Sequence, residues 1–311
     1  MAAAARRQGR GDVHRAARRP GTARRSAVIR FDGRVVVVTG AGRGLGAAYA
    51  RLFAARGATV VVHDAGVGPR GEGRDPSVAD AVVDELRRAG ARASAAYENL
   101  ETEDACCALI ESALAAHGRV DVLVNNAGLV VYEEVDRADR SWETMRRVGI
   151  DAPFHLSRAA FAAMKRQRYG RLIFTTSGIA MSAEDTRPGL AAYAAAKMAQ
   201  FGLMVVFAAE GRAHRVLANA ISPVATTRVY TRPVAPGALD PARVAPGVLL
   251  LASEECPVTG VVLAAADGWF GVRSWARTSG VDLGDDATPE DVAARWADIA
   301  AGPIATPTLR P

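Results

Sequence analysis

Residues 34–57 (RVVVVTGAGRGLGAAYARLFAARG, with Gly33 in front) constrain this chain more than any other stretch. Val35, Val36, Val37 and Val38 are the short β-branched apolar run expected of a strand buried on both faces. Gly40, Gly44 and Gly46 follow at once, and then an Ala-rich segment carries Leu52 and Phe53 at helical spacing. A buried strand, a glycine turn and a helix in that order make a phosphate site. The glycines let the backbone turn sharply and approach an anion, and the helix start directs free N–H groups and the positive end of its dipole at it. The spacing is Gly40-x-x-x-Gly44-x-Gly46 rather than G-x-G-x-x-G, because Leu45 sits where the third glycine would fall. The stretch predicts a dinucleotide site; a flexible glycine turn is the bland alternative.

The same strand–helix alternation continues down the chain. Residues 58–63, 92–97, 120–125, 171–176, 216–222 and 261–265 read as further strands. Residues 78–89, 104–117, 141–167, 191–210 and 244–251 read as helices, with Gly149 and Pro153 weakening the longest. Repeated alternation predicts an α/β protein with a doubly wound parallel sheet between two helical layers, as a single domain over residues 31–268. Two long loops interrupt it, residues 66–75 rich in Gly, Pro and Arg, and residues 226–242 rich in Pro and Thr. Residues 269–311 form a C-terminal extension with one short helix at 289–301, capped by Thr288.

Composition narrows the partners. The net charge of +6 is carried by the N-terminus, where residues 1–30 hold nine Arg and one Asp, a local +8 that leaves −2 for everything after it. The body therefore shows no nucleic-acid footprint, and the Arg/Ala-rich segment 1–30 reads as a disordered tail or an upstream start. No apolar run approaches the eighteen or so residues that span a bilayer, so no membrane partner is expected and a cytoplasmic location is. Cys106, Cys107 and Cys256 lack metal-ligand spacing, which predicts free thiols, a reducing compartment and no metal. Lysine occurs only at 165 and 197 among many arginines, a bias of GC-rich bacterial coding sequence.

The sharpest chemical signal is Tyr193-Ala-Ala-Ala-Lys197. At i and i+4 of a helix the phenol and the ammonium share a face. A free phenol, with a pKa of about 10, is too weak a base at neutral pH, and a neighbouring ammonium together with a positive nicotinamide ring would favour phenolate. The lysine can also hold the ribose hydroxyls of such a cofactor. Asp64 ends the second strand 24 positions after Gly40, where a carboxylate accepts the adenosine ribose hydroxyls and repels a 2′-phosphate. That favours NAD over NADP, although Arg43 in the turn could meet a 2′-phosphate. Asn125-Asn126-Ala127-Gly128 follows the fourth strand and Ser177 the fifth, both at the carboxyl edge where cofactors and small-molecule substrates bind in such sheets.

TGAGRGLG, Asp64, NNAG, Ser177 and YAAAK, in this order, resemble the short-chain dehydrogenase/reductase family over residues 31–267. The resemblance implies a Rossmann-type sheet, NAD(P), and hydride transfer between the nicotinamide and a carbinol or carbonyl carbon. Tyr193 would be the acid/base, Lys197 its tuner and Ser177 the donor to the substrate oxygen. Cofactor contacts would fall at Gly40, Arg43, Gly44, Leu45, Gly46, Asp64, Asn125, Ala127, Gly128, Tyr193, Lys197 and Pro223. Glu98 matches the acidic position near the adenine, and Thr227 the position at the carboxamide.

VVHDAGVGPRGEG, HGRVDVLVNNAG, MKRQRYGRLIF, AAEGRAHRVLANAISP and the Trp275-Ala-Arg-Thr tail are similar to one subgroup, the (3R)-hydroxyacyl-CoA dehydrogenase units of peroxisomal multifunctional enzymes of type 2. That resemblance implies NAD and a 3-hydroxyacyl-CoA, with a hydroxysteroid or other bulky apolar alcohol as the alternative. A non-catalytic NAD-binding protein is the reading from a different class. Homodimers or homotetramers through helices 141–167 and 191–210 are the family's habit. Three departures lie near the substrate side: Gly149 where the family has Asn, sixteen positions from Ser177 to Tyr193 where thirteen are usual, and Val224 after Pro223 where Gly is usual.

Overall fold

The valine run forms strand β1 (Val35–Thr39), fully buried, at the middle of an eight-stranded sheet. The computed structural model describes residues 28–305 apart from 70, 229, 231 and 232. Nearly all of the expected tail 1–30, Arg70 of the first long loop and the last six residues therefore lie outside the described residues. Around β1 the strands are β2 (Thr59–His63), β3 (Arg92–Ala96), β4 (Val122–Asn125), β5 (Gly170–Thr175), β6 (Val216–Val224), β7 (Val262–Ala266) and β8 (Trp269–Arg273). Their order is β3-β2-β1-β4-β5-β6-β7-β8, with β1 to β7 parallel and β8 antiparallel. The order reverses between β1 and β4, and the carboxyl ends of these two strands open the crevice in which a doubly wound sheet takes its ligand.

Alternation along β1 builds both layers at once. Val36 and Val38 pack with Tyr49 and Phe53 of α1 (Gly44–Ala55), Val82 of α2 (Ser77–Arg88) and Val248, whose helix lies after β6. Val35 and Val37 pack with Leu109 of α3 (Glu103–His117) and with residues of the helices between β4 and β6. The three-layer α/β/α reading is correct, and the reason is that β1 is covered on both sides by apolar helix faces.

Four elements differ from the sequence reading. The long helix is α4 (Asp139–Arg146), a π-helical turn over Arg147–Asp151, and α5 (Ala152–Gln167). It runs on through Gly149 and Pro153, because a π turn absorbs the missing N–H of the proline instead of ending the helix. Strand β6 runs two residues further than expected: Pro223 and Val224 pair with Ala265 and Ala266 of β7 beyond the last pair with β5, so the proline has no β5 partner to deprive. Helix α6 (Ala191–Gly211), continued by a turn to His214, is long and apolar enough by length and composition to cross a membrane, contrary to the expectation of no such run. In this fold it packs on β5 and β6 with Lys197 and Gln200 turned inward.

Helix α7 (Ala245–Ala252) completes the layer with α1. The extension is more than one helix. Its first strand, β8, pairs with β7, and β9 (Ala276–Thr278) pairs with β10 (Pro303–Ala305). Thr288 caps α8 (Pro289–Ala294) in a capping box with Asp291, but the helix breaks at Arg295 before α9 (Trp296–Ile299). Neither piece buries a residue, so no core face holds them in one line.

Candidate active site

The turn after β1 is closed by contacts that leave no room for side chains. Gly40 and Gly44 have φ of +64° and +51°, in the left-handed region that favours glycine. A Cβ at Gly46 would lie 2.1 Å from the Gly40 carbonyl oxygen, and one at Gly42 would lie 2.4 Å from Val78 Cγ1. Arg43 precedes α1 as an exposed residue with no side-chain cap, and the first turn carries no acid. The N–H groups of that turn, beside Leu45 and Gly46, are therefore not claimed by a carboxylate or hydroxyl cap. Asp64, at the end of β2, accepts the Gly42 N–H at 3.0 Å and the Gly66 N–H at 2.9 Å, which holds its carboxylate against the turn.

The NNAG segment is tied to the same turn by the second asparagine. Asn126 Nδ2 donates to the carbonyls of Thr39 (2.8 Å) and Gly40 (3.1 Å). The buried Thr39 hydroxyl accepts from the N–H groups of Asn126 and Ala127, both at 3.0 Å, and donates to the Val124 carbonyl. Asn125 points the other way: it is 2% exposed and its Nδ2 donates to Ser157 of α5. Its side chain therefore faces the core. Sequence reasoning quoted Asn126 but singled out Asn125; nothing in the pattern NN tells which side chain turns inward.

Around the helix α6 residues the geometry is close. Ser177 stands near enough to the Tyr193 phenol to lower its pKa, and Ser177 Oγ accepts the Ile179 N–H at 3.3 Å, which fixes its direction at the strand end. Lys197 Nζ lies 5.7 Å from the Tyr193 ring centroid and donates to the Thr175 carbonyl at 2.8 Å. A Cβ on Gly128 would sit 3.7 Å from that ammonium, so the NNAG backbone borders it. Burial lowers the Lys197 pKa to about 8, and burial raises the phenol of Tyr193, with nearby Ser177 pulling it back. As the side chains stand, the lysine is not what sets the phenol; desolvation is.

Thr227 arrives over the glycine turn, since a Cβ on Gly44 would be 3.2 Å from its Cγ2. Next to it Arg228 donates to the Val67 carbonyl at 2.7 Å, bridging the two long loops across the crevice. Glu98 offers its backbone carbonyl to His63 Nε2 at 2.9 Å, and its Oε2 is buried without a hydrogen-bond partner. Pro223 stands half-buried at the end of β6. The structure thus brings Gly40, Arg43, Gly44, Leu45, Gly46, Asp64, Ala127, Gly128, Ser177, Tyr193, Lys197, Pro223 and Thr227 to the carboxyl edge of the sheet, with Glu98 behind Asp64.

The longer segment between Ser177 and Tyr193 is held by the extension. Asp185 pairs with Arg273 at 3.7 Å, and a Cβ on Gly178 would be 2.9 Å from Arg273 Nη2. Met181, Val262, Val272, Arg273, Ser274 and Trp275 line a cleft of about 290 Å³ beside it. Trp275 also meets Phe201 of α6 edge-on at 5.9 Å. None of these long-range contacts could be read from local spacing.

Residues 34–236 match the family described as short chain dehydrogenase. The chain is 42% identical over 279 residues to the peroxisomal multifunctional enzyme type 2 of Mus musculus, covering 87% of this chain and 37% of that protein. It thus spans well under half of that relative's length. A short chain dehydrogenase from Mycobacterium avium has the same fold (TM-score 0.76, 36% identity, 90% of this chain and 98% of that one). A metagenomic short-chain oxidoreductase solved with NADP is similar over 71% of this chain and 91% of its own (TM-score 0.61, 34% identity).

Proposed function

The chain belongs to the short-chain dehydrogenase/reductase family and is an enzyme acting on CH–OH groups, and from that premise we propose that it is an NAD-dependent dehydrogenase of 3-hydroxyacyl-CoA thioesters. The observation that carries the chemistry is the convergence of Ser177, which lowers the pKa of the Tyr193 phenol, with Tyr193 and the Lys197 ammonium on one helix face. The substrate oxygen sits between the Ser177 hydroxyl and the Tyr193 phenol. In the oxidative direction Tyr193 takes the hydroxyl proton, and in the reductive direction it returns one. Ser177 orients the oxygen, and Lys197, anchored on Thr175, keeps positive charge beside the phenol. The nicotinamide supplies the hydride acceptor or donor when bound.

The residues fit such a group. The turn around Gly42 and Gly46 has been cleared of side chains, and the first turn of α1 has no internal cap. Asp64 supports NAD, because its carboxylate is fixed by two backbone N–H groups where a 2′-phosphate would have to come. Arg43 is partly answered by Asp75, whose carboxyl it helps to hold below the ordinary range after the two Ser77 hydrogen bonds. Asp64→Ser should raise the NADP-to-NAD ratio of kcat/KM by about tenfold or more, since it removes a like charge facing the phosphate. An unchanged ratio in steady-state assays with both cofactors would sink the NAD assignment.

The acyl-CoA preference draws on the 42% identity to the mouse enzyme over 279 residues and on the cleft beside Gly178. Met181, Val272 and Trp275 offer an apolar wall to an acyl chain, and Arg273 offers a cation to an anionic carrier. The test is an NAD-coupled screen of 3-hydroxyacyl-CoAs, hydroxysteroids and simple secondary alcohols. The highest kcat/KM is expected with a 3-hydroxyacyl-CoA. A hydroxysteroid ranking first would replace the substrate class, and no turnover with any alcohol would remove the reading.

A further inference from the structure

Gln200 lies three residues after Lys197 on α6, 1% exposed, in a stretch that is otherwise apolar (MAQFGLMVVFAA). Both ends of its amide are engaged. Oε1 accepts the Thr175 N–H at 3.0 Å, and Nε2 donates to the Gly149 carbonyl at 3.1 Å. Thr175 then supplies, through its own carbonyl, the 2.8 Å acceptor of the Lys197 ammonium. The Thr176 hydroxyl donates to the Lys197 backbone carbonyl, also at 2.8 Å. These bonds close a ring from α6 to the end of β5 and back.

The Gly149 end of the bridge has its own cause. In an α-helix its carbonyl would accept the N–H of residue 153, but residue 153 is proline and has none. The π-helical turn at Arg147–Asp151 is where that shortfall is absorbed, and Gln200 reaches in from the neighbouring helix as a donor. The approach is close because residue 149 lacks a side chain: a Cβ there would lie 2.7 Å from Ala196 Cβ. Gly149, Pro153 and Gln200 therefore act as one set.

We propose that Gln200 is a positioning residue for the reaction: by spanning the Gly149 carbonyl and the Thr175 N–H it fixes Thr175, so that the Thr175 carbonyl holds the Lys197 ammonium beside Tyr193. This rests on the dehydrogenase reading of Tyr193 and Lys197. Removing the amide frees the Thr175 N–H and so loosens the carbonyl on the other side of its Cα, and the ammonium keeps its burial but loses its fixed acceptor. A buried cation without its partner is favoured less, so the lysine gives up its proton at lower pH.

The chain has two lysines, so protein labelled with ¹³C at the lysine ε-carbon gives two resonances, with exposed Lys165 as the reference. In the wild type the Lys197 resonance should titrate at about 8. Gln200→Met fills the same space without an amide. In the dinucleotide-free variant the Lys197 midpoint should fall by about half a pH unit or more. At neutral pH its kcat should drop about tenfold with the pH–rate limb displaced, while KM for the dinucleotide stays within about twofold. An unmoved Lys197 midpoint in the folded variant overturns the proposal, as does an unmoved pH–rate profile. Should Gln200→Met not fold, Gln200→Asn is read in the same way, because it keeps the amide but is one methylene too short to span both partners. Tyr193→Phe, assayed alongside, separates the two claims. Full activity in that variant removes the dehydrogenase reading, whereas loss of activity there with an unmoved Lys197 in the Gln200 variants removes only the role of Gln200.

Discussion

Tyr193→Phe should lower kcat by about 10³-fold, which corresponds to about 4 kcal/mol of barrier, with dinucleotide affinity changed by no more than about threefold. The variant removes one oxygen and leaves the ring, which packs beside the cluster of Leu129, Met145, Ala192 and Ala196. Folding should therefore survive, and circular dichroism together with dinucleotide titration checks this before the rates are compared. Activity within about tenfold of wild type would mean that the phenol transfers no proton. The pH profile of the wild type follows from the same group. Burial raises the Tyr193 phenol, so the base form is scarce at neutral pH. Oxidation of the alcohol needs that form, and its rate should rise with pH until the Tyr193 phenol has titrated. Reduction needs the acid form and should fall over the same range. Burial lowers the Lys197 pKa to about 8, so the ammonium beside the phenol gives up its charge within the same alkaline range.

Gly46→Ala should weaken dinucleotide binding by about 100-fold, about 2.7 kcal/mol, and lower the melting temperature. The added methyl would stand 2.1 Å from the Gly40 carbonyl oxygen and 2.6 Å from Asn126 Nδ2. Both are held in place, the first by the turn and the second by the Asn126 bonds to Thr39 and Gly40. Neither can give way without moving the start of α1 or the NNAG backbone. Gly202→Ala is the matched control, since its Cβ would meet nothing within 4 Å and the residue lies within α6. That variant should stabilise the protein by about 0.5–1 kcal/mol through helix propensity. Calorimetric titration with NAD and thermal unfolding of both variants decide the matter. Wild-type affinity in Gly46→Ala would show that the turn does not approach the dinucleotide.

What was legible in the sequence was whatever depends on neighbours a few residues apart. The valine run, the glycine turn and the following helix announced β1 and α1, and the repeated alternation announced the parallel sheet and its two helical layers. Tyr193 and Lys197 were legible for the same reason: residues four apart on a helix share a face in any fold. Capping of α8 by Thr288 was local too.

The partners chosen across the sheet were decided only by tertiary packing. Asn126 rather than Asn125 ties the two turns, because strand register set which side chain faces β1 and which faces Ser157. Strand β8 pairs with β7 and sets Arg273 against Asp185, a contact between segments 88 positions apart. Gln200 meets Gly149 because two helices dock closely where a glycine and a proline fall together. A short-range pattern dictates which groups lie on one face of an element; it carries no information on which distant group that face will meet, since that depends on how whole faces fill space against each other.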